Sequence, residues 1–271
     1  MLTVEGDVSS RKKCIPRAVN VAGVPVVPFE SYDQALACIE ATVEAREKTF
    51  WVAINPQKCF RAWHESGLLD LLNRADVGIC DGGGVSIAAR ILHGQAIKRC
   101  TGCDLFLKVL PHAAEKGWGV FMLGASPESS AGACARLRQT YPDLRIVGRQ
   151  DGYFTDSAGV VEQITASVAD LVFVAMGSPT QEYWIAKHRD QIDAPFCMGV
   201  GGSFDVVSGR IRRAPAFFRR TGTEWLFQLL TEPRKRFRRQ TVYVPFMLRV
   251  LSKKLLGSVD ASQWTIRPVR Q

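Results

Sequence analysis

Long uncharged runs are missing from this chain. No stretch approaches the roughly 18 apolar residues that a membrane-spanning helix requires. The best candidate, 242–251, is short and carries Pro245 and Arg249. No apolar h-region follows Arg11-Lys12-Lys13, so no secretory signal peptide is evident. Histidine is scarce at four residues (His64, His93, His112, His188). They lack metal-ligand spacing and read as solvent-exposed or helix-capping. No GxSxG elbow for a serine hydrolase occurs. The eight cysteines are irregularly spaced, and most lie in apolar stretches where reduced Cys acts as a small hydrophobe. Cys100-Thr-Gly-Cys103 has the CxxC form without a second pair at zinc-finger spacing, so a metal or redox role is disfavoured. These absences point to a cytoplasmic protein that touches a membrane without crossing it.

What is present is unevenly distributed. The 271 residues carry a formal charge of +9. Residues 1–209 hold 20 Lys/Arg against 23 Asp/Glu, a net of −3. Residues 210–254 hold 13 basic residues against two acidic ones, a net of +11. Aromatic residues Phe217, Phe218, Trp225, Phe237 and Phe246 interleave with these charges. Nucleic acid and an anionic lipid surface would each attract such a segment, and composition does not choose between them.

Residues 1–18 read as a flexible leader, 19–205 as the body and 206–271 as a basic amphipathic helical appendage. In the body, short β-rich runs alternate with helical patterns: 50–54, 77–80, 119–123, 145–147, 171–175 and 196–200. Glycine-rich turns follow several of them. The pattern predicts an α/β, Rossmann-like, mostly parallel sheet with helices on both faces. In such sheets ligands bind beyond the carboxyl ends of the strands. Asn55, Asp81–Gly84, Gly177–Gln181 and Gly201–Asp205 fall there.

Asp81 carries most of the chemical information. An acid after a buried strand, followed by Gly82, Gly83 and Gly84, lets another molecule approach the backbone closely. The glycine amides and the following helix N-terminus suit an anion such as a nucleotide diphosphate. Two roles are open to Asp81, general base and helix cap. Gln181 and Glu182 open a helix, either as site residues or as solvated caps. Arg99 suits a phosphate. A dinucleotide fingerprint fails because Ile87 stands where glycine is required, so an NAD(P) enzyme is a weak reading.

Several ordered motifs carry a resemblance over 24–239: Asp81-Gly-Gly-Gly-Val-Ser-Ile-Ala-Ala-Arg90, Arg99-Cys-Thr-Gly-Cys-Asp-Leu105, Gly177-Ser-Pro-Thr-Gln-Glu-Tyr-Trp184, Gly199-Val-Gly-Gly-Ser-Phe-Asp205, Arg213-Ala-Pro215, Glu224-Trp225 and Glu232-Pro-Arg234. Together they resemble the WecG/TagA/CpsF glycosyltransferases. The resemblance implies an inverting, metal-independent hexosyltransferase that needs no cofactor. Such an enzyme moves a sugar from a nucleotide-sugar donor, typically UDP-linked, to an undecaprenyl-diphosphate-linked sugar. It would sit peripherally on the cytoplasmic face of the bacterial membrane, with no nucleic-acid partner; a homo-oligomer stays open.

By the same resemblance Asp81 is the base, Asn55 and Gln181 line the pocket, and Arg99 contacts phosphate. The Gly82–Gly84 turn, Gly201, Gly202 and Asp205 border the substrates. Arg213 and Arg220 reach them from the appendage, while Arg219, Trp225, Arg236, Arg238 and Arg239 face the membrane. One departure stands out. Ala53 occupies the position, two before Asn55, where the family often has Thr.

Overall fold

The computed structural model describes residues 14–211, 213–215, 217–218, 224–231 and 241–256. Six strands form one parallel sheet: β3 (Thr49–Ile54), β4 (Val77–Cys80), β5 (Gly119–Gly124), β6 (Arg145–Gln150), β7 (Leu171–Ala175) and β8 (Phe196–Gly199), in the order β4-β3-β8-β7-β5-β6. Every residue of β3, β4, β5, β7 and β8 is buried, which is why these strands read as continuous apolar runs rather than as alternation. Edge strand β6 is only half-covered and carries Arg145 and Arg149. All six predicted strands are present. A short antiparallel hairpin of β1 (Val19–Val21) and β2 (Val24–Val26), not foreseen from sequence, leans its exit on the β4 edge, where the Val27 amide donates to the Gly78 carbonyl at 2.7 Å.

Helices cover both faces of the sheet, as expected. Phe50, Val52 and Ile54 point to one face and Trp51 and Ala53 to the other, so one strand feeds two cores. The first core is closed by α2 (Pro56–Ala62), α3 (Ser66–Arg74), α4 (Gly83–His93), α7 (Ser157–Ala166) and α8 (Thr180–His188). The second is closed by α1 (Tyr32–Glu44), α5 (Gly102–Lys116), α6 (Pro127–Thr140) and α9 (Ser203–Val207). Helical spacing through Asn73 suggests one helix, but Trp63–Glu65 divides it into α2 and α3. Cys14, Ile15 and Ala18, from the segment read as a leader, pack against the second core.

The C-terminal region contributes α10 (Glu224–Thr231) and α11 (Tyr243–Leu255). The latter returns to the body. Phe246 and Val250 are fully buried in the first core, and Phe246 stacks on Trp63 with centroids 5.5 Å apart. Arg249 also lies over the Trp63 ring, 4.5 Å from its centroid. Among the described residues no helix is long and apolar enough to cross a membrane.

Two readings need correction. Cys14 and Cys38 form a disulfide, which the irregular cysteine spacing gives no reason to expect; the other six cysteines are free. His188 is buried against Trp184 rather than exposed, because it sits on the inward face of α8.

Candidate active site

Parallel strands place their carboxyl ends on one rim. Asn55 follows β3, Asp81 follows β4, and the Gly177 and Gly201 turns follow β7 and β8. Because β4, β3, β8 and β7 are consecutive neighbours in the sheet, these four turns adjoin one another.

Asp81 is half-buried at this rim. Its amide donates to the Ile54 carbonyl at 2.8 Å, which pins the turn to β3. One carboxylate oxygen accepts from Asn55 Nδ2 at 3.3 Å, and the other accepts from the Gly102 amide at 3.3 Å. Gly102 is the first residue of α5, so the acid faces the positive end of that helix. The adjoining helix α4 has Gly82 at its N-cap and no side-chain cap. Asp81 therefore does not cap the helix that follows it, and its carboxylate bridges to a different element. Burial raises its carboxyl above the ordinary 3.8; the Asn55 hydrogen bond, the Lys58 ammonium and the Gly102 amide oppose this, and the Asp104 charge adds to it.

Asn55 has two tasks. Its Oδ1 caps α2 by accepting from the Lys58 amide at 2.9 Å, which fixes the orientation in which Nδ2 reaches Asp81. Two residues earlier Ala53 is buried under α5: a Cβ added to Gly102 would lie 3.1 Å from the Ala53 methyl. A contact this tight favours a small side chain at position 53.

Arg99 is half-buried and borders, with Ser86, Ala96, Ile97 and Lys98, an open hollow of about 350 Å³ beside α4. The next residue, Cys100, donates its amide to the carbonyl of Cys80, so Arg99 sits one residue from the backbone that carries Asp81. Burial pushes the Cys80 and Cys100 thiols up to about 12 and also raises Cys103, so their thiolates are disfavoured.

Gln181 is buried, and both of its polar ends are engaged. Oε1 accepts from the Gly201 amide at 2.9 Å and Nε2 donates to Glu182 at 2.9 Å. It thus holds the β8 turn, where Gly201 adopts φ +54. A Cβ at Gly199 would lie 2.4 Å from Gln181 Nε2, so the close approach requires glycine there. Gly202 precedes α9, and Asp205 within that helix accepts from Ser129 Oγ at 2.6 Å.

Arg213 ion-pairs with Asp104 of α5. Asp104 also accepts from Thr101 Oγ1 at 2.8 Å and from the Tyr32 hydroxyl at 3.4 Å. On the other side of the Asp81 turn, Tyr243 of α11 lies against Gly84: a Cβ there would sit 3.4 Å from Tyr243 Cε1. Burial, with the charge of Asp81 adding to it, pushes the Tyr243 phenol up to about 12. Trp225 belongs to α10, while Arg219, Arg220, Arg236, Arg238 and Arg239 lie outside the described residues.

Sequence reasoning did not single out Lys58, Asp104 or Tyr243, and it left Glu182 open between a site residue and a solvated cap. Glu182 and Asp104 stand inside the quoted motifs, which was the available signal. Lys58 follows Asn55 by one helical turn, and Tyr243 gave no signal at all.

Comparison with known proteins adds the following. The model of the glycosyl transferase WecG/TagA/CpsF family matches residues 19–259. The chain is 36% identical over 209 residues to an N-acetylglucosaminyldiphosphoundecaprenol N-acetyl-beta-D-mannosaminyltransferase of Bacillus spizizenii, covering 77% of this chain and 81% of the relative. It is 33% identical over 201 residues to a protein of the same name from Bacillus subtilis, covering 74% and 78% respectively.

Proposed function

Because this chain belongs to the WecG/TagA/CpsF glycosyltransferase family, we propose that it transfers a hexose from a nucleotide-sugar donor to a polyprenyl-diphosphate-linked sugar. The relatives' names make an N-acetylmannosaminyl group the first donor sugar to test and N-acetylglucosaminyl-diphosphoundecaprenol the first acceptor. The product enters a cell-surface polysaccharide.

The observation that carries this reading is the Asp81 carboxylate, half-buried and held in place by Asn55 and the Gly102 amide. A carboxyl raised above 3.8 is a better proton acceptor than a fully solvated one. Asp81 takes the proton of the acceptor hydroxyl as its oxygen bonds the anomeric carbon. On the opposite face the bond from that carbon to the donor diphosphate breaks, and the diphosphate leaves with the electron pair. One displacement inverts the anomeric centre. The uncapped N-terminus of α4 and the Arg99 guanidinium supply donors for the growing negative charge. Gln181 acts by holding the Gly201 turn.

A lipid-linked acceptor requires the enzyme to work at a membrane surface, on its cytoplasmic face. The net charge of +11 over residues 210–254 and the exposed leucines of α11 support that placement.

The test is a screen of UDP-sugars against synthetic N-acetylglucosaminyl-diphosphoundecaprenol, read by product mass and anomeric configuration. Transfer with inversion in wild type, abolished in Asp81→Asn, is the expected result. No transfer from any nucleotide sugar, or retention of configuration, overturns the proposal.

A further inference from the structure

The first core contains a charge pair that the chemistry above does not use. Lys58 Nζ lies 2.6 Å from Glu182 Oε1, with side-chain exposures of 3% and 1%. Lysine and glutamate are among the residues least often buried, and desolvating two charges costs several kcal/mol each before their attraction offsets it. A fold tolerates such a pair only where its geometry is well satisfied. Here one oxygen of Glu182 is, receiving both Lys58 Nζ and Gln181 Nε2, while Oε2 has no partner among the described residues.

The pair joins two sets of hydrogen bonds, one at the Lys58 backbone amide and one at its ammonium. Asp81 Oδ2 accepts from Asn55 Nδ2, and Asn55 Oδ1 accepts from the Lys58 amide. Lys58 Nζ donates to Glu182, Gln181 Nε2 donates to the same oxygen, and Gln181 Oε1 accepts from the Gly201 amide. The two sets together run from the Asp81 turn after β4 to the Gly201 turn after β8, through α2 and α8. Residues 58 and 182 are 124 positions apart, so only the folded sheet brings them together.

Resting on the reading of Asp81 as the base, we infer that Lys58 and Glu182 are positioning residues: their buried pair locks Asn55 and Gln181 at the two ends of the pocket and sets a cation beside Asp81. The other groups that bear on Asp81 are Asp104 on α5, Tyr243 on α11 and the thiols of Cys80, Cys100 and Cys103; Arg213 is held by Asp104, and Arg99 acts on Cys80. The Lys58 ammonium opposes the effect of burial on the Asp81 carboxyl and favours its ionised form.

The test titrates the substrate-free full-length protein, 13C-labelled at aspartate carboxyls, with the Asp81 resonance assigned by its loss in Asp81→Asn. Lys58→Met is expected to raise the Asp81 midpoint by about one pH unit, and Lys58→Arg to restore it. Glu182→Gln, nearly isosteric, leaves the ammonium less neutralised and is expected to lower the midpoint. In transfer assays the acid limb of the rate profile moves with the midpoint, and kcat falls more than KM changes. An Asp81 midpoint unmoved in a folded Lys58→Met protein overturns the inference. Should Lys58→Met not fold, an unmoved midpoint in Glu182→Gln overturns it instead. The titration needs no substrate, so a wild type that transfers nothing would defeat the functional proposal while leaving this result readable.

Discussion

Arg213 closes an ion pair on Asp104, two residues along α5 from Gly102, the residue whose amide holds the Asp81 carboxylate. The segment that follows the body therefore grips the element that orients the acid. Tyr243 meets Gly84 in the turn that follows Asp81, so Arg213 and Tyr243 each contact an element that adjoins this turn. The pair is half-exposed and worth at most about 1 kcal/mol to folding. Arg213→Ala is expected to leave the melting temperature within a few degrees while lowering transfer to a polyprenyl acceptor at least tenfold. A charge-reversed pair, Arg213→Asp with Asp104→Arg, should recover part of that loss. Transfer within twofold of wild type in Arg213→Ala would remove the contact from the site.

Asp81 gives a pH dependence with a definite sign. Its carboxyl is raised above the ordinary 3.8 because burial penalises the charged form. The folded state therefore holds this proton more tightly than the unfolded chain does. The associated stability is fully present below 3.8 and is lost as pH rises through the folded value. Asp81→Asn removes that loss, so the variant should equal or exceed wild type in denaturant midpoint at neutral pH. Transfer behaves oppositely: it requires the ionised acid and should fall on the acid side, with about 100-fold or greater loss in Asp81→Asn at every pH. A variant that is both destabilised at neutral pH and active would contradict both halves.

Gly84 lies where α4, α2 and α11 meet. An added methyl would lie 2.4 Å from Pro56 Cγ, in a rigid ring that cannot swing aside, and 3.4 Å from Tyr243. Gly84→Ala should therefore cost about 1–3 kcal/mol by overpacking, reversing the usual gain of alanine over glycine in a helix. Gly67→Ala in α3 is the control, since its methyl would meet only the Tyr183 hydroxyl, at 3.6 Å. Urea midpoints should move down for the first and stay level or rise for the second. Equal midpoints would mean that the three helices separate without cost.

The sheet was legible because five of its strands are buried on both faces and announce themselves as apolar runs ending in glycine or polar turns. The β1–β2 hairpin was not, since Val-Asn-Val and Val-Pro-Val are three-residue strands with a polar residue or proline at the centre. Asp81 and Asn55 could be picked out because each stands where a strand ends. Lys58 could not, and Glu182 stayed open between site residue and solvated cap, because a charged residue on a helix reads as solvated unless its partner is known. The return of α11 was equally hidden: Phe246 and Val250 look the same in a helix that seeks lipid and in one that docks on the body.

That helix in fact presents two apolar faces, and among the described residues only one is covered by the protein. Phe246 and Val250 are buried on the body. Val244, Leu248, Leu251 and Leu255, spaced four, three and four residues apart, form a stripe on the opposite side, and all are exposed. Arg249 lies over the Trp63 ring and the Lys254 ammonium donates to the Leu92 carbonyl at 3.4 Å, while the net charge of +11 over residues 210–254 supplies cations for anionic headgroups. Burying one leucine in an acyl environment is worth about 1.5–3 kcal/mol, and each cation near the surface about 1 kcal/mol. Leu248→Glu with Leu251→Glu should therefore weaken binding to vesicles containing anionic lipid by at least about tenfold, with no loss of folding because neither side chain touches the core. Truncating the appendage would be a poorer test, since it would also expose the surface that Phe246 and Val250 cover. Raising the salt from low to physiological should weaken wild-type binding, because the cationic contribution is screened over about 8–10 Å. If the double variant sediments with anionic vesicles as wild type does, the outer stripe of α11 is not the membrane contact.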